Sequence, residues 1–162
     1  MDLYLKWKSF FGTKRLAFYD ECNENRFYAD IMIDHSENKF RIYDNSGKKL
    51  AFIRKKPFGF HNIYNITVGE RKIGEMIEKF SFFRQTYVVS GLGWKVEVDP
   101  SNLNYRVMDE GRQIVEVSKL KSKRLIASEV TYKISVVDGI DLAIALAVML
   151  TALISIEENL IV

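Results

Sequence analysis

The chain has 162 residues, the length of one domain, enough to bury roughly two-thirds of the surface its unfolded form exposes. A composition of 48% hydrophobic and 28% charged residues, with two prolines and nine glycines, excludes a disordered or collagen-like chain and one divided by a low-complexity linker. Net charge is +3, but all 24 Lys and Arg residues precede position 134 while Asp138, Asp141, Glu157 and Glu158 follow it, so a basic body carries an acidic tail. One cysteine, Cys22, cannot form an internal disulfide, and with two histidines it makes no metal-ligand set, so neither metal nor cofactor is expected. The lone thiol and a start, MDLYLKWKSFFG, without the apolar core of a signal peptide point to a reducing, cytoplasmic setting.

From Leu3 to Val137 the chain reads as short strands, because aromatic or branched side chains alternate with polar ones over runs of four to eight residues. Leu16-Ala17-Phe18-Tyr19-Asp20 opens a first hairpin, with Asn25 where a turn glycine would stand. Phe40-Arg41-Ile42-Tyr43 leads through Asp44-Asn45-Ser46-Gly47 into Leu50-Ala51-Phe52-Ile53. Tyr64-Asn65-Ile66-Thr67-Val68 turns at Gly69-Glu70 toward Ile73 and Ile77, and Tyr105-Arg106-Val107-Met108 turns at Asp109-Glu110-Gly111 into Ile114-Val115-Glu116-Val117. Glycine supplies the positive φ such tight turns need. The unit repeats: an aromatic residue, a turn, an aliphatic pair, then Lys55, Lys79 or Lys119. About twelve antiparallel strands result, and that many normally close on themselves to protect their edges. The expected fold is mainly β, a closed antiparallel barrel over the single domain 1–162.

The period then changes. Asp138-Gly139-Ile140-Asp141 is a turn with carboxylates suited to a helix N-terminus. Leu142 to Ile156 follows, with Thr151 and Ser155 as its polar members, and is apolar all round. Fifteen residues span about 22 Å, short of the roughly 30 Å of a bilayer's hydrocarbon core. Acidic flanks also lack the Lys, Arg, Trp or Tyr that anchor a spanning segment. A twelve-strand barrel needs filling, since side chains alone fill barrels of about eight strands. The helix, placed at about 140–157, is expected inside the barrel.

Three groups of residues are candidates for chemistry. Lys8-Ser9-Phe10-Phe11-Gly12, Lys56-Pro57-Phe58-Gly59-Phe60 and Lys79-Phe80-Ser81-Phe82-Phe83 each pair a lysine with an aromatic corner. In an up-and-down series these corners return to one rim, where cations beside rings suit a lipid headgroup surface. The competing reading has the rings plug the barrel end. Arg54, Lys55 and Lys56 end one strand, with Arg54 and Lys56 on one face and Lys55 on the other. Lys119, Lys121, Lys123 and Arg124 form a denser second cluster. Either cluster suits a phosphorylated headgroup, Arg by paired hydrogen bonds and Lys as a point charge, and either equally suits protection of a strand edge.

Catalysis has no support in the sequence. His35 and His61 lack a sequence-evident nucleophile or metal partner, and Cys22 lies among Asp20, Glu21 and Glu24, which oppose thiolate formation. No glycine-rich phosphate loop, G-x-S-x-G or H-E-x-x-H occurs. Nucleic acid is not an expected partner, because no zinc-finger, RNP or recognition-helix pattern accompanies the basic strands.

The hairpins FRIYDNSGKKLAFIRKK and GRQIVEVSKLKS, the strand TYKISV and the closing DGIDLAIALAVMLTALI resemble the LURP-one-related proteins, from about Leu3 to Ile156. That family is similar to the tubby C-terminal domain and the phospholipid scramblases. The resemblance implies a twelve-stranded antiparallel barrel threaded by a hydrophobic C-terminal helix. For function it implies only a neighbourhood, since tubby domains bind phosphoinositides and scramblases act on membrane lipids. No calcium loop of the D-x-[DN]-x-[DN]-G kind is present, so scramblase activity does not carry over.

Two expectations of different class stand together. One is a non-enzymatic module that docks on anionic lipid, peripherally at the inner membrane surface, through Arg54, Lys56, Lys79, Lys121, Lys123 and Arg124. The other is a protein-interaction or scaffold domain with no lipid ligand.

Overall fold

A computed structural model describes residues 1–8, 12–33, 38–57, 62–81, 84–99, 104–120 and 129–160. Alternating apolar residues become twelve strands: β1 (Asp2–Lys8), β2 (Gly12–Tyr19), β3 (Asn25–Ile33), β4 (Asn38–Asp44), β5 (Lys49–Lys55), β6 (Ile63–Val68), β7 (Arg71–Ser81), β8 (Arg84–Val89), β9 (Trp94–Val98), β10 (Tyr105–Asp109), β11 (Arg112–Leu120) and β12 (Glu129–Val136). Each pairs antiparallel with its sequence neighbours, and β12 returns to β1, which closes the barrel. Closure removes exposed sheet edges, as the strand count requires.

At one end the strands are joined by tight turns. Asp44 Oδ1 accepts hydrogen bonds from the Ser46 and Lys48 amides and the Ser46 hydroxyl, which holds the turn before β5. Glu110 and Gly111 both have positive φ, 47° and 80°, the geometry that matches a right-twisted hairpin. Register shifts fall near this end of four pairings, at Phe18/Tyr19, Ile42/Tyr43, Ile66/Thr67 and Val107/Met108. Such bulges add twist and help the sheet curl shut. Gly74 of β7 serves closure differently: a Cβ there would meet the Ser90 carbonyl oxygen at 1.7 Å, so a side chain would push the backbones apart.

Inside lies the helix α1 (Leu142–Leu160). The Asp141 carboxylate caps it by accepting from the Ile144 amide at 3.1 Å. Every residue from Ala145 to Ile156 is buried, so the all-round apolar surface is enclosed by protein. The helix lies closest to β5 and β6 on one side and to β11 on the opposite side. Rings occupy the space that remains: Trp7, Phe18 and Tyr132 on one flank, Tyr87 and Trp94 on the other, all buried. Among the described residues no helix is long and apolar enough to cross a membrane.

Two details differ from expectation. The helix runs to Leu160, four residues past Ile156, because Glu157 and Glu158 are good helix formers and extend it rather than flank it. A hydroxyl inside an apolar helix commonly bonds back to the carbonyl one turn before it. Thr151 Oγ1 does donate to the Ala147 carbonyl at 2.6 Å, but the buried Ser155 Oγ finds no partner among the described residues.

Candidate functional site

The strand register decides what lies on the outside of the wall. In β4, Asn38, Phe40 and Ile42 point inward, so Lys39 and Arg41 point out. In β5, Ala51 and Ile53 point inward, and Phe52 and Arg54 point out, with Lys56 continuing that row beyond the strand. The Lys56 amide still donates to the Ile63 carbonyl at 2.8 Å, which keeps Lys56 in line with the sheet. Thr67 of β6 pairs with Lys72 of β7, and Glu75, Ile77 and Lys79 follow on the same outer face. Lys39 is the register partner of Arg54, and Arg54 the partner of Asn65, which faces Glu75 in turn.

Among the described residues, the outward positions of β4–β7 thus carry Lys49 at the turn end and, further along the wall, Lys39, Arg41, Arg54, Lys56, Lys72 and Lys79 with the carboxylate of Glu75. The other walls set several of their cations directly against carboxylates. On β8–β11, Lys95 and Arg106 both pair with Glu97, at 3.5 and 2.9 Å, and Glu116 lies beside Arg106 in register. On β12–β3, Lys133 pairs with Asp2 at 3.0 Å, and Arg15 grips Asp30 through two hydrogen bonds of 2.7 and 2.9 Å. A concavity of about 650 Å³ lies over β8–β11, and two of its cations, Lys95 and Arg106, are already matched by Glu97.

Glu75 holds two of the six cations: Lys56 at 2.6 Å and Lys72 at 3.7 Å. The Lys56 ammonium beside it, aided by Lys72, keeps the Glu75 carboxyl below its ordinary value. Arg41 is positioned by stacking over the Phe52 ring at 5.1 Å. Arg54 and Lys79 are exposed, and strand spacing puts the β5 and β7 backbones roughly 10 Å apart. Phosphates spread over a surface fit that separation better than one small anion does.

Phe80, next to Lys79, is 73% exposed at the end of β7. This ring does not plug the barrel. On the inward side Lys55 Nζ lies 5.9 Å from the Tyr64 ring centre, separated from Arg54 and Lys56 as alternation requires. Glu78 also faces inward, accepting from Asn62 Nδ2 and Gln85 Nε2, both at 2.7 Å, so it does not offset the outer cations.

Of the six site residues expected from sequence, Arg54, Lys56 and Lys79 share this face. Lys121, Lys123 and Arg124 lie outside the described residues, as do His35, His61 and most of the aromatic corners. Lys39 and Lys72 were missed because only strand pairing brings them beside Arg54 and Glu75; the alternation around Phe40 was the available signal for Lys39. Cys22 is exposed, and among the described residues no three His, Cys, Asp or Glu side chains gather as metal ligands.

Comparison with known proteins agrees with the architecture. The family model described as LURP-one-related matches residues 1–152. A protein of Bacillus subtilis (strain 168), described as the uncharacterized protein YxjI, is 25% identical over 119 residues, covering 74% of each chain. No solved structure gives a significant match. A twelve-strand closed barrel around a C-terminal apolar helix, matched by the family model over nearly its whole length, places this chain in the LURP-one-related family.

Proposed function

We propose that the protein is a non-enzymatic binding module that docks the outer face of β4–β7 on anionic membrane lipid headgroups. One observation supports the reading: six outward cations share one wall with the carboxylate of Glu75, while on the other walls Lys95, Arg106, Lys133 and Arg15 each stand against a carboxylate. A basic residue near an anionic surface contributes about 1 kcal/mol, so a net excess of five gives on the order of 5 kcal/mol. That corresponds to submillimolar, reversible attachment. A peripheral position on the inner membrane surface follows from this reading and from the reducing setting suggested by the lone thiol.

Flotation of the purified protein with vesicles tests it. Vesicles containing a third phosphatidylserine should carry the protein upward at 50 mM salt and less of it at 300 mM; phosphatidylcholine vesicles should carry none. Protein that stays behind with anionic vesicles at both salts would overturn the proposal. The Lys79→Glu variant should float less while unfolding at the wild-type temperature, since its register partner is the neutral Thr86.

A further inference from the structure

β8–β11 carry the opposite kind of surface to the basic wall. The hollow over their outer face, of about 650 Å³, has the volume of a small-ligand site, about 300–1,000 Å³. One register row crosses it: Thr86 stands opposite Glu97, Glu97 opposite Arg106, and Arg106 opposite Glu116. Arg84 and Asp99 lie two residues further along the same side, next to Thr86 and Glu97. The charges of this lining cancel. Arg84, Lys95 and Arg106 stand with Glu97, Asp99 and Glu116, so neither a polyanion nor a polycation gains from long-range attraction. In the middle the cancellation is local: Glu97 Oε2 accepts from Arg106 Nε at 3.0 Å and Nη2 at 2.9 Å, and Glu97 Oε1 lies 3.5 Å from Lys95 Nζ.

The hollow also offers little apolar surface. Its apolar lining residues are Val98, half-buried, and Tyr105, which is buried with its hydroxyl committed to the Met149 carbonyl. No ring face is presented for stacking, so a ligand gains through hydrogen bonds rather than through burial of apolar area. Carboxylate acceptors and a guanidinium donor alternate along the row at strand spacing, roughly 4.8 Å. A hydroxyl is the group that uses both at once, donating to a carboxylate while accepting from the guanidinium beside it. The pairing of Glu97 with Lys95 and Arg106 orders those side chains before anything binds, which lowers the ordering cost. β8 and β11 are three strand spacings apart, roughly 14 Å, a length that takes linked hydroxyl-bearing rings rather than one.

We propose that the hollow over β8–β11 binds a neutral, polyhydroxylated ligand, an oligosaccharide of two or three rings. Its hydroxyls donate to Glu97 and Glu116 and accept from Arg106 and Arg84. The site lies on a different wall from the β4–β7 face and does not depend on lipid docking.

The probes are maltose, cellobiose and N,N′-diacetylchitobiose, titrated to 50 mM while the amide resonances of the full chain are followed. At least one disaccharide should give saturable shifts centred on Thr86, Glu97, Arg106 and Glu116, with β4–β7 unmoved, and inorganic phosphate should give none there. Glu116→Gln, a change at an exposed position, should weaken that disaccharide about tenfold, the loss of one hydrogen bond to a charged group. Glu97→Gln should weaken it as much and, by taking the carboxylate from Lys95 and Arg106, turn the hollow toward phosphate. The proposal is overturned if no disaccharide shifts these amides at 50 mM, or if both variants bind as the wild type does. Shifts there from phosphate or from triglycine, and from no disaccharide, would overturn it too, making the hollow an anion or peptide site.

Discussion

The Tyr105 hydroxyl of β10 donates a 3.1 Å hydrogen bond to the Met149 carbonyl, well inside the barrel. Apolar packing between wall and helix gives attraction but little orientation. This bond fixes the rotation and height of α1 at its middle. The Met149 carbonyl keeps the partner that any mid-helix carbonyl has one turn on, so losing the hydroxyl leaves no orphaned acceptor. Tyr105→Phe should therefore cost about 1 kcal/mol. Urea unfolding at constant m-value is the measurement, and the melting temperature should fall by about 2–4 °C.

Leu150→Asp and Ser155→Ala should act in opposite directions. Leu150 is fully buried in the middle of the helix, and a carboxylate there has no cation to meet. The cost is several kcal/mol, on the order of a domain's whole stability, and the variant should be insoluble or lack cooperative unfolding. Ser155 Oγ is buried with no partner among the described residues, so its removal ends a desolvation penalty. Ser155→Ala should unfold at equal or higher urea concentration than wild type.

Gly74→Ala tests how tightly the wall is closed. The added methyl group would lie 1.7 Å from the Ser90 carbonyl oxygen, and backbone cannot yield as a side-chain tip can. A loss on the order of 2–3 kcal/mol is expected, the usual cost of forcing atoms into a packed site. Gly47→Ala provides the comparison, since a methyl group there meets nothing within 4 Å and any cost comes from backbone conformation alone. Chemical denaturation of both variants should rank Gly74→Ala as the more damaging.

Stability should fall on the acid side of neutrality. Asp30 is held below its ordinary value by hydrogen bonding to Arg15, Asp2 by hydrogen bonds from Lys133 and Ser135, Glu75 by Lys56, and Asp44 by Ser46 and turn amides. A depressed carboxyl contributes stability above its unfolded-state value and loses it as pH falls through the folded one. Those unfolded values lie near 3.8 for Asp and 4.5 for Glu, so urea midpoints should be level from pH 6 to 8 and drop below about pH 4. Asp30→Asn should flatten part of that drop.

Much of this fold was legible because alternation and turn chemistry agree with the final packing. Phe40-Arg41-Ile42-Tyr43 reads as a strand whose aliphatic face is buried, and that is how β4 lies. The length and apolarity of Leu142 to Ile156 fit a helix inside the barrel, and α1 lies there. Its last turn was not legible, since Glu157 and Glu158 fit a helix end and a flank equally well. The basic wall was half visible: Arg54 and Lys56 stand together in sequence, but Lys39 joins them only through register. The neutralising role of Glu75, nineteen positions from Lys56, is likewise set by strand pairing.

Because Glu75 occupies Lys56 and Lys72, the strength of the basic wall should be adjustable without touching a cation. Glu75→Gln frees both ammonium groups and should raise the fraction of protein floated with anionic vesicles at 300 mM salt. Lys56→Gln should lower it less than Lys79→Gln does, since part of the Lys56 charge is already offset. Flotation of the three variants in parallel checks the order.

The most direct test of docking through β4–β7 is amide line broadening by anionic vesicles doped with a gadolinium-chelating lipid. The account predicts broadening that is strongest at Lys39, Arg54, Lys79 and Phe80 and weak at Lys95, Arg106 and Glu116 on the opposite wall. Broadening centred on β8–β11, or spread evenly round the barrel, would contradict it.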